Sequence, residues 1–176
     1  VDGVASAVVL GPRAEAEKAR SLGAAKVYWL GEKGDSALVE DYVPALAQLL
    51  QEQKPALMLV GATIRGKSVA ARLAARLGAS SVADAKEISV ENGKLTFSHM
   101  IFGGGAVRTE NPISEVALAT IGQGVYEAPE AGAADGEIVE VPFAEPAWRA
   151  KFIERRPKKV TAVNLATAKR VVCPGR

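Results

Sequence analysis

The chain's 176 residues suffice for one domain with a packed core, and a composition 48% apolar but only 5% aromatic draws mainly on Ala and Val. A formal net charge of +2 argues against a nucleic-acid binder, and one Cys with one His excludes an internal disulfide, a zinc site built on thiolates and a His-pair metal site. No run reaches the roughly 20 apolar residues of a membrane helix. The opening VDGVASAVVLG has neither the basic start nor the cleavage site of a signal peptide, and the single cysteine fits a reducing, cytoplasmic setting. It also lacks a methionine, which points to residues upstream.

Ala7-Val8-Val9-Leu10, closed by Gly11-Pro12, is a short apolar run that predicts a buried strand. Residues 14–22 hold strong helix formers, with Gly23 where a helix C-terminal glycine belongs. A second strand follows over residues 26–30. Asp35 or Ser36 is placed to cap a longer helix in which Leu38, Tyr42, Val43, Leu46, Leu49 and Leu50 recur at helical spacing. Pro44 inside that pattern predicts a kink or a later helix start. After Pro55, residues 56–60 form a third strand, apolar throughout, and apolar strands alternating with helices predict a parallel sheet covered on both faces. The next helix spans residues 66–77, with Val69, Leu73 and Leu77 on one stripe and Gly78 at its end.

Beyond Gly78 the pattern becomes more antiparallel. Residues 87–90 and 94–100 alternate around Asn92-Gly93, a strong hairpin signal, and further strands are expected at 106–109 and 115–121. Residues 127–136 read as a loop and 138–141 as one more strand. Residues 145–164 read as a connector whose ERRPKK cluster is a solvated charged face. An apolar strand begins at 168–172, and Pro174-Gly175-Arg176 stops where a strand-to-loop turn should open, as though a second domain began there. The expected fold is α/β, a three-layer α/β/α arrangement whose mostly parallel sheet carries antiparallel additions.

The run Gly61-Ala62-Thr63-Ile64-Arg65-Gly66-Lys67-Ser68 has Walker A spacing between a strand and a helix. Such a loop can aim backbone N–H groups, a helix N-terminus and a lysine at a phosphate, so a small nucleotide-binding ATPase or ATP-binding protein is one reading. The other is a tight strand–helix turn, because no later apolar strand ends in the carboxylate that would help hold magnesium, and Ile64 and Arg65 are bulky. His99 reads as an ordinary strand or surface histidine, Trp29 as core, Trp148 as an anchor for the connector and Cys173 as a buried structural thiol.

The stretch VGATIRGKSVAARLAARLGASSVADAKEISVENGKLTFSHMIFGGGAVRT resembles the electron-transfer flavoprotein alpha subunit of the FixB type. Gly61 to Lys67, Ala70 to Leu77, Asp84 and Phe102 to Gly105 carry that similarity, and NLATAKRVVCPGR resembles the family's entry into its flavin domain. The resemblance implies an adenine nucleotide alpha hydrolase-like fold with an amino-terminal domain over residues 1–144, a connector over 145–164 and the start of a truncated FAD-binding domain over 165–176. It implies electron relay, not substrate transformation, and a Gly61 turn that is structural. It further implies a FixA-type beta subunit as partner, with AMP in that subunit. FAD would sit mainly in the downstream domain and is not expected on this stretch alone, and dehydrogenases and an electron acceptor would be the redox partners. Arg176 matches the arginine of the family's flavin-contacting turn and is the one cofactor-binding residue carried over. The family opens with a strand and helix ahead of Val1, so an apolar sheet edge is expected where that strand would lie.

Overall fold

The structure is a computed structural model that describes residues 3–34, 36–132, 135–142, 153–154, 156–157 and 168–174. Strands β1 (Ser6–Val9) and β2 (Lys26–Trp29) run parallel, connected by α1 (Arg13–Ser21). Pro12 opens α1, where a missing N–H costs nothing, and Glu15 in the first turn with Lys18 and Arg20 in the last complement the helix dipole. After β2 the chain makes a 3-10 turn over Val39–Tyr42 and enters α2 (Val43–Gln53). It continues through β3 (Leu57–Gly61), α3 (Ile64–Leu77) and β4 (Ser80–Ala85). Three antiparallel strands follow, β5 (Glu87–Glu91), β6 (Lys94–Ile101) and β7 (Ala106–Glu110). The chain then returns to the parallel layer with β8 (Ala117–Ile121) and β9 (Glu137–Glu140).

Among the described residues the ladders form three sheets of three strands, in orders β1-β2-β9, β3-β8-β4 and β5-β6-β7, the first two wholly parallel. One core joins both parallel sheets: Leu30 at the end of β2 packs with Val43, Leu46 and Leu50 of α2, Val69 and Leu73 of α3, and Leu118 of β8. A second core lies on the opposite face of β8, where Ala117 and Ala119 meet Val82, Ala85 and Phe97 under the antiparallel sheet. Helix α1 covers the face of β2 that carries Trp29, with the Arg13 guanidinium 5.2 Å from the indole centroid. The Tyr28 hydroxyl points the other way and donates to Gln53 of α2 at 2.6 Å. Helices therefore lie on both faces of β2, whereas the β3-β8-β4 sheet has helices on one face and the antiparallel sheet on the other.

The expected α/β architecture holds, with four differences of detail. The second helix starts late, as Pro44 in its first turn predicts, but its approach is not capped as expected: the Leu38 N–H is held by the Asp41 carboxylate at 2.7 Å. Ser36 does not cap it, and Asp35 lies outside the described residues. Strand β4 gives no sequence signal because its residues, Ser80-Ser81-Val82-Ala83-Asp84-Ala85, are small and half polar; pairing with β8 makes it a strand. Residues 115–121 do not extend the antiparallel half, since β8 inserts between β3 and β4. Finally, residues 168–174 form no strand, and Cys173 is exposed where a buried thiol was expected. With no neighbouring strand to bond, an apolar run has nothing to hold it extended.

Among the described residues Phe97 is the largest fully buried side chain, while Val107 is 68% exposed. Phe97→Ala is expected to lower unfolding free energy by about 3–5 kcal/mol in urea titration, and Val107→Ala to change it by no more than about 0.5 kcal/mol.

Candidate functional site

The turn between β3 and α3 stands at the carboxyl ends of β3, β8 and β4, where open parallel sheets commonly bind ligands. Thr63 caps α3, its side chain accepting from the Gly66 N–H at 2.9 Å. Gly66 approaches the preceding strand so closely that a Cβ there would lie 1.9 Å from the Gly61 carbonyl oxygen. Only glycine fits, and the reason is packing.

Four of the turn's backbone donors are already committed. Ala62 N–H donates to the Ile121 carbonyl at 2.8 Å, Thr63 N–H to the Gly61 carbonyl at 2.8 Å and Lys67 N–H to the Thr63 carbonyl at 2.9 Å. The Lys67 ammonium lies 2.5 Å from the Asp84 carboxylate, so its charge is met within the protein. Arg65 is likewise paired, 3.2 Å from Glu40. Asp84 takes a left-handed backbone, φ 54°, at the register shift of β4, and its N–H donates to the buried Thr120 hydroxyl at 2.9 Å. Asp84 therefore serves as the lysine's counter-ion. The region Gly61–Ser68 is a tight turn stapled to the neighbouring strand, and the reading as a phosphate loop is not supported.

The other singled-out residues do not converge on this turn. His99 lies on β6, its Nε2 3.5 Å from the Glu110 carboxylate, which Arg108 also holds at 2.6 Å. Trp29 donates its indole N–H to the Gly11 carbonyl at 2.9 Å and is only partly buried. Arg176 and Trp148 lie outside the described residues. Among the described residues no group of three or more His, Cys, Asp or Glu is arranged to hold a metal, and no helix is long and apolar enough to cross a membrane.

What the molecule leaves open is apolar surface. Met100 and Val107 stand opposite each other in the β6–β7 ladder, 56% and 68% exposed, and Phe102 just beyond them is 87% exposed. Phe102 holds φ 53°, a conformation bulky residues rarely adopt, followed by positive-φ Gly103 and Gly104. Exposed apolar side chains beside a strained turn form a surface suited to contact. The sequence signal was the aromatic residue ahead of three glycines; exposure is what singles it out.

A family model, the electron transfer flavoprotein domain, matches residues 2–146. The chain is 35% identical over 151 residues to YdiR of Escherichia coli (strain K12), whose name provisionally describes an electron transfer flavoprotein subunit, covering 85% of this chain and 48% of that protein. It is 33% identical over 165 residues to Protein FixB of Salmonella typhimurium and 34% identical over 165 residues to Protein FixB of Escherichia coli O1:K1 / APEC, covering 93% of this chain and 53% of each relative. The chain spans about half the length of the curated relatives it matches.

Two results would test the turn's geometry. Gly66→Ala should destabilise the chain by at least about 1–3 kcal/mol, because backbone must move to admit the methyl. Lys67→Ala, which removes a half-exposed ion pair, should cost at most about 1 kcal/mol in the same urea titration. Calorimetry with Mg-ATP should register no heat of binding with the unmodified chain.

Proposed function

The chain belongs to the electron transfer flavoprotein family, and from that premise we propose that it is the amino-terminal scaffold and partner-binding domain of a FixB-type alpha subunit. Together with a FixA-type beta subunit, such an alpha subunit relays electrons from dehydrogenases to an acceptor through FAD. Proteins of this family carry electrons and are not catalysts. The observation that supports a scaffold role is the contrast between the chemically closed Gly61–Ser68 turn and the open apolar surface of Met100, Phe102 and Val107.

The organisation proposed is residues 1–144 as that domain, 145–164 as a connector and 165–176 as the entry to a FAD-binding domain. A flavin's diphosphate needs unspent donors, and at the Gly61 turn four N–H groups and the Lys67 ammonium are engaged within the protein, so the turn is a poor fit for FAD. This favours holding FAD mainly in the downstream domain, where Arg176 would meet flavin or pyrophosphate oxygens through its planar guanidinium. AMP is assigned to the beta subunit and the setting to the cytoplasm.

Co-expression of the full-length polypeptide with a FixA-type partner is expected to yield a yellow complex carrying FAD. Arg176→Ala should lower its flavin content with the complex intact, and Phe102→Ala should weaken association by at least about tenfold, the scale of an interface hot spot. A full-length protein that binds the partner and never retains flavin would contradict the proposal.

A further inference from the structure

Strand β6 presents its side chains to two environments. Phe97 enters the core under β8, and Met100, of opposite parity, stands on the other face of the strand. The Ser98 carbonyl accepts from the Lys86 N–H on the β5 side, and backbone direction alternates along a strand. Met100 therefore also turns its N–H and C=O away from β7. Met100 and Val107, opposite each other in the ladder, form the non-hydrogen-bonded kind of pair, in which side chains approach most closely. The same face carries the Ser98 and Thr109 hydroxyls, 3.4 Å apart, two residues further from the turn.

The thioether end of Met100 reaches the turn itself. A Cβ added at Gly104 would lie 3.7 Å from the Met100 Cε, so this methyl lies over the backbone that Phe102 and Gly103 carry through positive φ. Met100 is 56% exposed, with the more exposed Phe102 and Val107 beside it. The other methionine of these 176 residues, Met58, is partly buried and packs against the core of α2 and α3. A small oxidant in solution thus meets one thioether freely and the other poorly. The accessible one lies within the apolar surface.

We propose that Met100 is a reversible oxidation site, and that its sulfoxide weakens the hold of this surface on a partner protein. The oxidant is hydrogen peroxide. An S–O bond forms at Sδ as the O–O bond breaks, the sulfur gives up two electrons, and the peroxide leaves as water. The product is polar and chiral where the thioether was apolar and adaptable. In a protein contact the new oxygen must shed its water, and the side chains of Phe102 and Val107 have no hydrogen-bond donor to meet it. A sulfoxide reductase reverses the step with two electrons from a dithiol, and the oxygen departs as water. This inference rests on the reading of Met100, Phe102 and Val107 as a contact surface.

The test treats the full-length polypeptide with hydrogen peroxide, then measures its affinity for the FixA-type partner. Peptide mass spectrometry is expected to find one oxygen added at Met100 at least about fivefold faster than at Met58. The oxidised polypeptide should bind the partner at least about fivefold more weakly, and a sulfoxide reductase should restore the affinity. Met100→Leu, whatever affinity it starts from, should lose none of it on treatment. That control separates Met100 from the exposed Cys173 and from groups elsewhere in the polypeptide. Equal oxidation of Met100 and Met58, oxidised Met100 with unchanged affinity, or the same loss in Met100→Leu overturns the proposal. Phe102→Ala tells the two levels apart. If it weakens association and the sulfoxide does not, the oxidation site alone falls; if neither changes the affinity, the contact surface falls as well.

Discussion

Strand β8 is buried on both faces and paired on both edges, and the remainder of the molecule is positioned against it. Leu118 enters the core built by α2 and α3, while Ala117 and Ala119 enter the core under the antiparallel sheet. Its edges bond β3 and β4. Thr120, only 2% exposed, uses its hydroxyl to hold the Asp84 N–H. Small residues at three of these positions allow the sheet, the helix layer and the antiparallel layer to approach closely, as packing at crystalline density demands. The Ala-rich, aromatic-poor composition is the consequence of that closeness.

The turn beside β8 shows how a sequence can carry the spacing of a phosphate site without its chemistry. Binding a phosphate requires N–H groups and a lysine that are preorganised and still unspent. Here four N–H groups bond within the turn or to β8, and Asp84 supplies the lysine's counter-charge. The exposed Lys67–Asp84 pair contributes little stability. Gly66 contributes more, because its missing side chain lets the helix start against the Gly61 carbonyl.

The described residues also leave edges and faces open to contact. Two such features stand out: the strained, exposed Phe102 turn with Met100 and Val107, and the pair of parallel edges at β1 and β3. They differ in kind. The first presents apolar side chains on a finished sheet and suits a separate protein surface. The second presents backbone groups at the edges of two parallel sheets.

By itself the sequence determined the alternation of apolar strands and helices, the Asn92-Gly93 hairpin, the late helix start at Pro44 and the family, since these depend on local periodicity, turn chemistry and residue order. It also placed Gly61 and Gly66 at a tight turn. Tertiary structure alone decided that Ser80–Ala85 is a strand, that residues 117–121 leave the antiparallel half to become the central parallel strand, and that Lys67 belongs to Asp84. Each of these depends on partners distant in the chain: β4 exists because β8 bonds it, and the lysine is neutralised by an acid seventeen residues away across the fold. The exposure of Cys173 belongs with them, for an apolar run is buried only where something stands to cover it.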